Sequence, residues 1–266
     1  MQDRHTNKER YFQEQDYTTR TYVIPFARSV MAVDPGTTVL EVGCGEAGNL
    51  KPFVDMGCES YGIDMSQSKI ANAGKFFGDH PQRSRLHLIA DDAYHLASHT
   101  DRKFDLILLR DTIEHIYNQE KFMAFIRHSL AEKGHMFIAF PPWMNPFGGH
   151  QQTCRSRVLS KLPYFHLLPR PVYKGILRLF GETPENIVSL MEIVDTRLTI
   201  ERWERILRAE NMVIHKRVFY FINPNYEVKF GLKPRIIWSW IGAIPWWRNF
   251  FITTAYYMIA NGDSSA

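Results

Sequence analysis

Val39-Leu40-Glu41-Val42-Gly43-Cys44-Gly45-Glu46-Ala47-Gly48, followed by Tyr61-Gly62-Ile63-Asp64, reads as a strand, a glycine turn, a helix start and a second strand ending on an acid. Gly43 and Gly45 permit a tight turn and a close backbone approach that a Cβ would obstruct. A helix beginning near Gly48 would point its unpaired N–H groups back at that turn. Asp64, about 20 residues on, is placed to accept hydrogen bonds from a ribose diol. Together these residues predict a cofactor pocket. Gly43 to Gly48 also satisfies the dinucleotide fingerprint, so the neighbours decide between ligands. Glu41 stands just before the first glycine, where a dinucleotide-binding strand presents an apolar residue beneath a pyrophosphate. A carboxylate there repels phosphates and suits a ligand carrying an ammonium or a sulfonium.

Outward from this stretch, short apolar runs rich in Val, Ile, Leu or Phe recur at about 38–42, 60–64, 86–90, 104–109 and 135–140, as expected of strands covered on both faces. Helices fall between them: Ser66 is an N-cap for a helix through Phe77, and Gln119 to Leu130 carries Phe122, Phe125 and Ile126 on one face. Pro52 is tolerated if it falls in a first helical turn. Thr199 to Glu210 reads as a further capped helix ended by Asn211. The alternation predicts a doubly wound α/β fold with parallel strands, whose ligand lies outside their carboxyl ends. Gly43, Asp64, Asp92 and Arg110 all fall there.

The chain resembles the class I S-adenosylmethionine-dependent methyltransferases. Leu40-Glu41-Val42-Gly43-Cys44-Gly45 looks like the family's first motif, Asp64 its second acidic position and Ala90-Asp91-Asp92-Ala93 its adenine-binding segment. Phe104-Asp105-Leu106-Ile107 with Ile113-Glu114-His115-Ile116 is similar to its fourth-strand motif, and Glu132-Lys133-Gly134-His135-Met136 to the turn into its fifth strand. The similarity covers roughly residues 37–140 in the right order. It implies a Rossmann-like seven-stranded sheet with an antiparallel pair, Met212–Phe221 and Phe250–Ala260, at its C-terminal edge. It implies S-adenosylmethionine as cofactor, released as S-adenosylhomocysteine, and places Glu41, Gly43, Cys44, Gly45, Asp64, Met65, Asp92, Ala93 and Arg110 at that cofactor.

Composition agrees with one enzyme domain carrying insertions. The chain has 266 residues, a formal net charge of +4 and three cysteines without metal-ligand spacing, and no secretory signal opens it. A reducing cytoplasm is the expected compartment, and neither a long basic block nor an amino-methylating N/D-P-P-Y/F/W motif after the fourth strand announces a nucleic acid. Three parts lie outside the minimal domain: residues 1–35, expected as a helical arm over the cofactor site, and insertions in domain 36–266 at about 141–198 and 222–249, expected to form a substrate lid. Pro245, Arg248 and Asn249 interrupt Ile236–Ala260 as a membrane span, whereas Trp238, Trp240, Trp246 and Trp247 suit peripheral contact with a membrane or the wall of a core.

The chemistry implied is displacement of the cofactor's methyl by an aligned acceptor, a small molecule methylated at a hydroxyl oxygen and bearing an acidic group on an apolar or lipid-linked body. His150 and His115 are the candidate catalytic bases, His150 preferred because it follows two glycines beyond the fifth strand. Asp111, Glu114 and His115 form a D-x-x-E-H cluster similar to a metal-assisted motif of quinone-biosynthesis O-methyltransferases, with Asp111 in place of a glutamate; a solvated helix start accounts for the same residues, and no metal is assigned. An NAD-type oxidoreductase and a catalytically silent cofactor-binding module remain as alternatives. Acceptor identity and oligomeric state are not legible.

Overall fold

The computed structural model describes residues 7–262. Five segments form the parallel part of the sheet: β1 Thr38–Val42, β2 Glu59–Ile63, β3 Leu86–Ile89, β4 Phe104–Arg110 and β5 Leu130–Phe140. β6 Met212–Ile222 and β8 Thr254–Asn261 run antiparallel, and β7 Arg235–Ile236 pairs with β6. The order is β3-β2-β1-β4-β5-β8-β6-β7. The expected seven strands are therefore eight, because two residues of the second insertion pair opposite Tyr220 and Ile222 and move the β6/β8 pair one place in from the edge. β8 starts at Thr254, four residues later than expected. Trp247–Phe250 is a 3-10 turn whose Arg248 and Asn249 side chains are held by Glu201.

Alternation along the strands sends neighbouring residues into opposite layers. Val39, Leu108, Phe137 and Tyr256 pack on one side with Phe53 and Phe77, and Leu40, Ile107, Ile138 and Tyr257 on the other with Phe122 and Trp203. Helices α1 Lys8–Thr18, α2 Ile24–Arg28, α3 Lys51–Asp55 and α4 Gln67–Phe76 precede α5 Gln119–Ile126. Further on come α6 Arg170–Leu179, α7 Pro184–Thr196, α8 Ile200–Ala209, α9 Asn225–Phe230 and α10 Ser239–Gly242. Ser66 and Thr199 cap α4 and α8 as read from sequence, accepting from Lys69 N and Arg202 N, and Asn211 takes the left-handed conformation at φ 50°. Segment 141–198 builds a small core of its own around Trp143, Phe165, Tyr173, Leu177 and Leu190.

The first helix after the glycine turn begins at Lys51, not near Gly48, because Gly45 and Ala47 take left-handed backbone and the chain from 43 to 50 stays a turn. α1, a π-turn at Thr19–Val23 and α2 form the arm; residues 1–6 of the expected 1–35 lie outside the described residues. Phe12 packs its ring 4.9 Å from Phe76 and 5.6 Å from Phe77, and Phe26 lies 5.8 Å from Phe137. Among the described residues no helix is long and apolar enough to cross a membrane.

Gly48 lies where α1 crosses the turn, and a Cβ there would stand 2.7 Å from the Phe12 carbonyl oxygen. Backbone cannot yield as a side-chain tip does, so Gly48→Ala should lift α1 and cost about 1–3 kcal/mol. Urea unfolding measures the cost, and faster proteolysis within α1 locates it.

Candidate active site

The strand order reverses between β1 and β4, and two cavities of about 390 Å³ each open at that point with Gly43 as a shared wall. One is largely apolar, lined by Val42, Ile63, Met65, Ala93 and Ile116 with Asp64 and Asp92. The other is polar, lined by Tyr11 and Lys8 of α1, Asn49, Lys69, Arg110 and the α9 residues Asn225 and Lys229.

Gly43 sits at φ 72°, and a Cβ would stand 2.8 Å from Thr112, so β1 meets the turn after β4 only through a glycine. The N–H groups of Gly43 and Cys44 both donate to the Ile63 carbonyl, at 2.8 and 3.2 Å. Asp64 closes the turn: its Oδ2 accepts from Gly45 N at 2.9 Å and its Oδ1 from Ser66 N at 2.8 Å. A carboxylate offers about four lone-pair sites, so it can still accept from a diol in the cavity. Asp92 accepts from Tyr94 N at 3.0 Å and starts a 3-10 turn from Ala93, while Met65 is 76% exposed at the rim of the same cavity.

Cys44, expected at the cofactor, is buried. It lines neither cavity; its buried thiol packs under Gly62, whose Cβ position is 2.8 Å from Cys44 Sγ, and burial raises its pKa well above the ordinary range. Glu41 also lies behind the cavity wall. Its Oε1 accepts from Asn49 Nδ2 at 2.6 Å, and its buried Oε2 has no partner. Burial pushes Glu41 up to about 8 against the lowering effects of Asn49 and Arg110. Arg110, itself buried, donates to Asn49 Oδ1 at 2.5 Å, to Thr19 Oγ1 at 3.1 Å and to Asn225 Oδ1. Asn49 and Asn225 did not stand out in the sequence; the only signals were an amide beside Gly48 and an Asn-Pro-Asn turn.

The two histidines are brought together, in the reverse of the expected order. His115 lines the apolar cavity, and His150 lies behind it with ring centroids 4.9 Å apart. Burial lowers both, His150 to about 3 with help from His115 and His166, so both are neutral near pH 7. Glu114, His115 and His150 have ligand atoms within 4.8 Å of one another. Asp111 is not in that group: at φ 52°, just past the end of β4, it lines the polar cavity. Both oxygens of Glu114 are buried without partners, and burial followed by Asp111 raises its pKa well above the usual range. No residue of 141–198 lines either cavity, so of the two expected lid insertions only 222–249 contributes walls, through α9.

Residues 16–159, more than half of the chain, match the family model described as a methyltransferase domain. The chain belongs to the class I S-adenosylmethionine-dependent methyltransferases. The ubiquinone biosynthesis O-methyltransferase of Rhodopseudomonas palustris (strain BisA53) is 28% identical over 104 residues, covering 39% of this chain and 40% of that protein. Phosphoethanolamine N-methyltransferase 2 of Caenorhabditis elegans is 31% identical over 105 residues, covering 39% of this chain and 24% of that protein. The match thus spans less than half the length of these curated relatives. The plantazolicin methyltransferase BamL, solved with a triazolic desmethylPZN analog and SAH, superposes with a TM-score of 0.54 at 13% identity, over 98% of this chain and 88% of that one. At that identity the likeness is one of fold.

An orphaned buried oxygen on Glu41, next to the turn and beside Asn49 on the polar cavity, fits a ligand with a cationic end, and the apolar slot bounded by Asp64 and Asp92 fits an adenosine.

Folded Glu41 holds its proton up to about pH 8, whereas the unfolded side chain releases it in the ordinary glutamate range. Between those limits the folded state binds more protons, so stability falls as pH rises through that window, by up to about 1.4 kcal/mol per pH unit for one proton. Glu41→Gln should remove this slope, which urea unfolding at a series of pH values reads directly.

Proposed function

We propose that the chain transfers a methyl group from S-adenosylmethionine to a small-molecule acceptor, at a hydroxyl oxygen, and that the acceptor bears an acidic group on an apolar or lipid-linked body. The observation that carries the reading is the pair of cavities meeting at Gly43, one apolar and flanked by Asp64 and Asp92, the other polar and lined by Lys8, Lys69, Arg110 and Lys229. Lys8, Lys69 and Lys229 on the walls suit an acceptor with a carboxylate or phosphate, beside the carboxylates of Glu14, Glu46 and Asp111. Asp64 would hold the ribose, Met65, Asp92 and Ala93 the adenine, and the Gly43–Gly45 turn the methionine part, with Glu41 acting on its ammonium through Asn49.

The bound cofactor supplies an activated methyl on a sulfonium. The protein's part is alignment, exclusion of water and removal of the acceptor's proton. α1 and α9 cover the polar cavity from two sides and supply the first two. His115 is the base at the cavity, with His150 behind it. A neutral imidazole of depressed pKa is a weak base, which suits an acidic hydroxyl better than an alkyl alcohol. A second reading, methylation of an amine, is favoured by Glu14, Glu46 and Asp111 in the same polar cavity, where a cationic acceptor would find carboxylates.

Isothermal titration of the chain with S-adenosylmethionine, S-adenosylhomocysteine and NAD tests the cofactor. Saturable binding of the first two, weakened on the order of tenfold or more by Asp64→Ala, is expected; binding of NAD alone would sink the reading. A panel of phenolic acids, alkyl alcohols and amines then separates oxygen from nitrogen transfer, and binding without transfer to any of them points to a silent module. With a phenolic acceptor, His115→Ala should lower kcat by about 10²-fold or more and alter its pH profile. Unchanged turnover in both His115→Ala and His150→Ala removes the histidines from the chemistry.

A further inference from the structure

Two stretches distant in sequence combine exposed large apolar side chains with cations and contain no carboxylate. From Val228 to Phe250 there is no Asp or Glu, and Lys233 and Arg235 are exposed. From Phe147 to Gly181 there is again no Asp or Glu, but six Lys or Arg between Arg155 and Arg178. The two stretches abut: Tyr164 Oη donates to the Phe250 carbonyl at 3.1 Å, and their rings lie 6.1 Å apart.

The tryptophans of the first stretch face solvent. Trp238 is 71% exposed and Trp240 and Trp247 are each 65% exposed, with Trp238 stacked on Trp240 at 6.4 Å. This presentation is built into the fold. Glu201 accepts from Trp246 N at 2.9 Å, from Arg248 Nε at 2.9 Å and from Asn249 Nδ2 at 2.6 Å, while Glu204 pairs with the other end of the buried Arg248 guanidinium. Trp246 is held at φ 67°, a conformation disfavoured for a bulky residue, and still leaves half its side chain in water. A buried ion pair and a strained backbone thus fix the turn that carries Trp246 and Trp247.

We propose that this surface, from Leu232 to Trp247 with the adjoining basic loop 155–164, docks on an anionic lipid bilayer. Indole combines an apolar ring with an N–H donor and partitions to the headgroup boundary, and the exposed cations of the two stretches, whose nearest carboxylates Glu182 and Glu201 are tied up on backbone N–H groups, match a negative leaflet. A second copy of the chain is a poorer occupant, since a self-complementary contact would set the same cations against each other. The surface begins where α9 ends, and α9 walls the polar cavity, so docking would bring the cavity mouth close to the bilayer. The docking itself does not depend on which acceptor is methylated.

Co-sedimentation of the full chain with phosphatidylcholine vesicles, with and without phosphatidylglycerol, tests this. Binding should require phosphatidylglycerol and weaken with salt. Combined Trp238→Ala, Trp240→Ala, Trp246→Ala and Trp247→Ala should lower the partition coefficient about tenfold or more, with circular dichroism and thermal unfolding confirming that the variant is folded. Should it misfold, the unaltered chain serves: tryptophan fluorescence should be quenched by phosphatidylglycerol vesicles with brominated acyl chains, and Lys233→Glu with Arg235→Glu should reduce that quenching. No partition onto phosphatidylglycerol vesicles overturns the proposal. So does undiminished binding by the folded tryptophan variant, or lipid-free dimerisation in light scattering that the same variant abolishes.

Discussion

A buried guanidinium is tolerated only where its donors find acceptors, and Arg110 finds them on three segments far apart in the chain: Thr19 just after α1 in the arm, Asn49 beyond the Gly43–Gly45 turn and Asn225 at the start of α9. Asn49 completes the arrangement by donating to Glu41 while accepting from Thr19 and Arg110. The carboxylate below the turn, the arm on one side of the cavity and α9 on the other are thus held by one network. Its placement follows from β4, whose last residue is Arg110, emerging at the point where the strand order reverses. Losing any one acceptor would leave a buried charge partly unsatisfied, a larger penalty than a lost surface contact.

That network also joins the cavity walls to the buried charge. α1 and α9 are two walls of the polar cavity, and the arm and α9 each reach Arg110 through a single side-chain acceptor, Thr19 and Asn225. Removing either acceptor would leave the buried guanidinium with one donor unsatisfied beside Asn49 and Glu41. In the low dielectric of that buried site the Glu41 carboxyl responds most strongly to a cation. The same residues therefore serve the fold and set the polarity that a ligand meets.

The doubly wound order, the capped helices α4 and α8 and the glycine turn were legible in the sequence because each rests on local rules: short apolar runs alternating with helices, a capping serine or threonine, a glycine at positive φ. The family motifs supplied the antiparallel pair. What was not legible depends on contacts between distant segments. Arg110 reads only as a strand-end residue until Thr19, Asn49 and Asn225 are brought to it. Cys44 lies inside the motif, yet turns under Gly62. The order of His115 and His150 could not be read from two glycines and a strand end, because the loop from 141 to 150 folds against its own core around Trp143 and brings His150 behind His115.

The division of labour between the two insertions follows from how each satisfies its own hydrophobic surface. Segment 141–198 buries Phe165, Tyr173, Leu177 and Leu190 against one another and so needs no further partner to stay ordered. Segment 222–249 has too few buried side chains for a core of its own. It is ordered by polar anchors at both ends, Asn225 on Arg110 and Glu201 and Glu204 on Arg248, and between them by β7 pairing with β6 and by Ile237 and Ile241 packing on the main core. With those attachments made elsewhere, Trp238, Trp240, Trp246 and Trp247 are left outside.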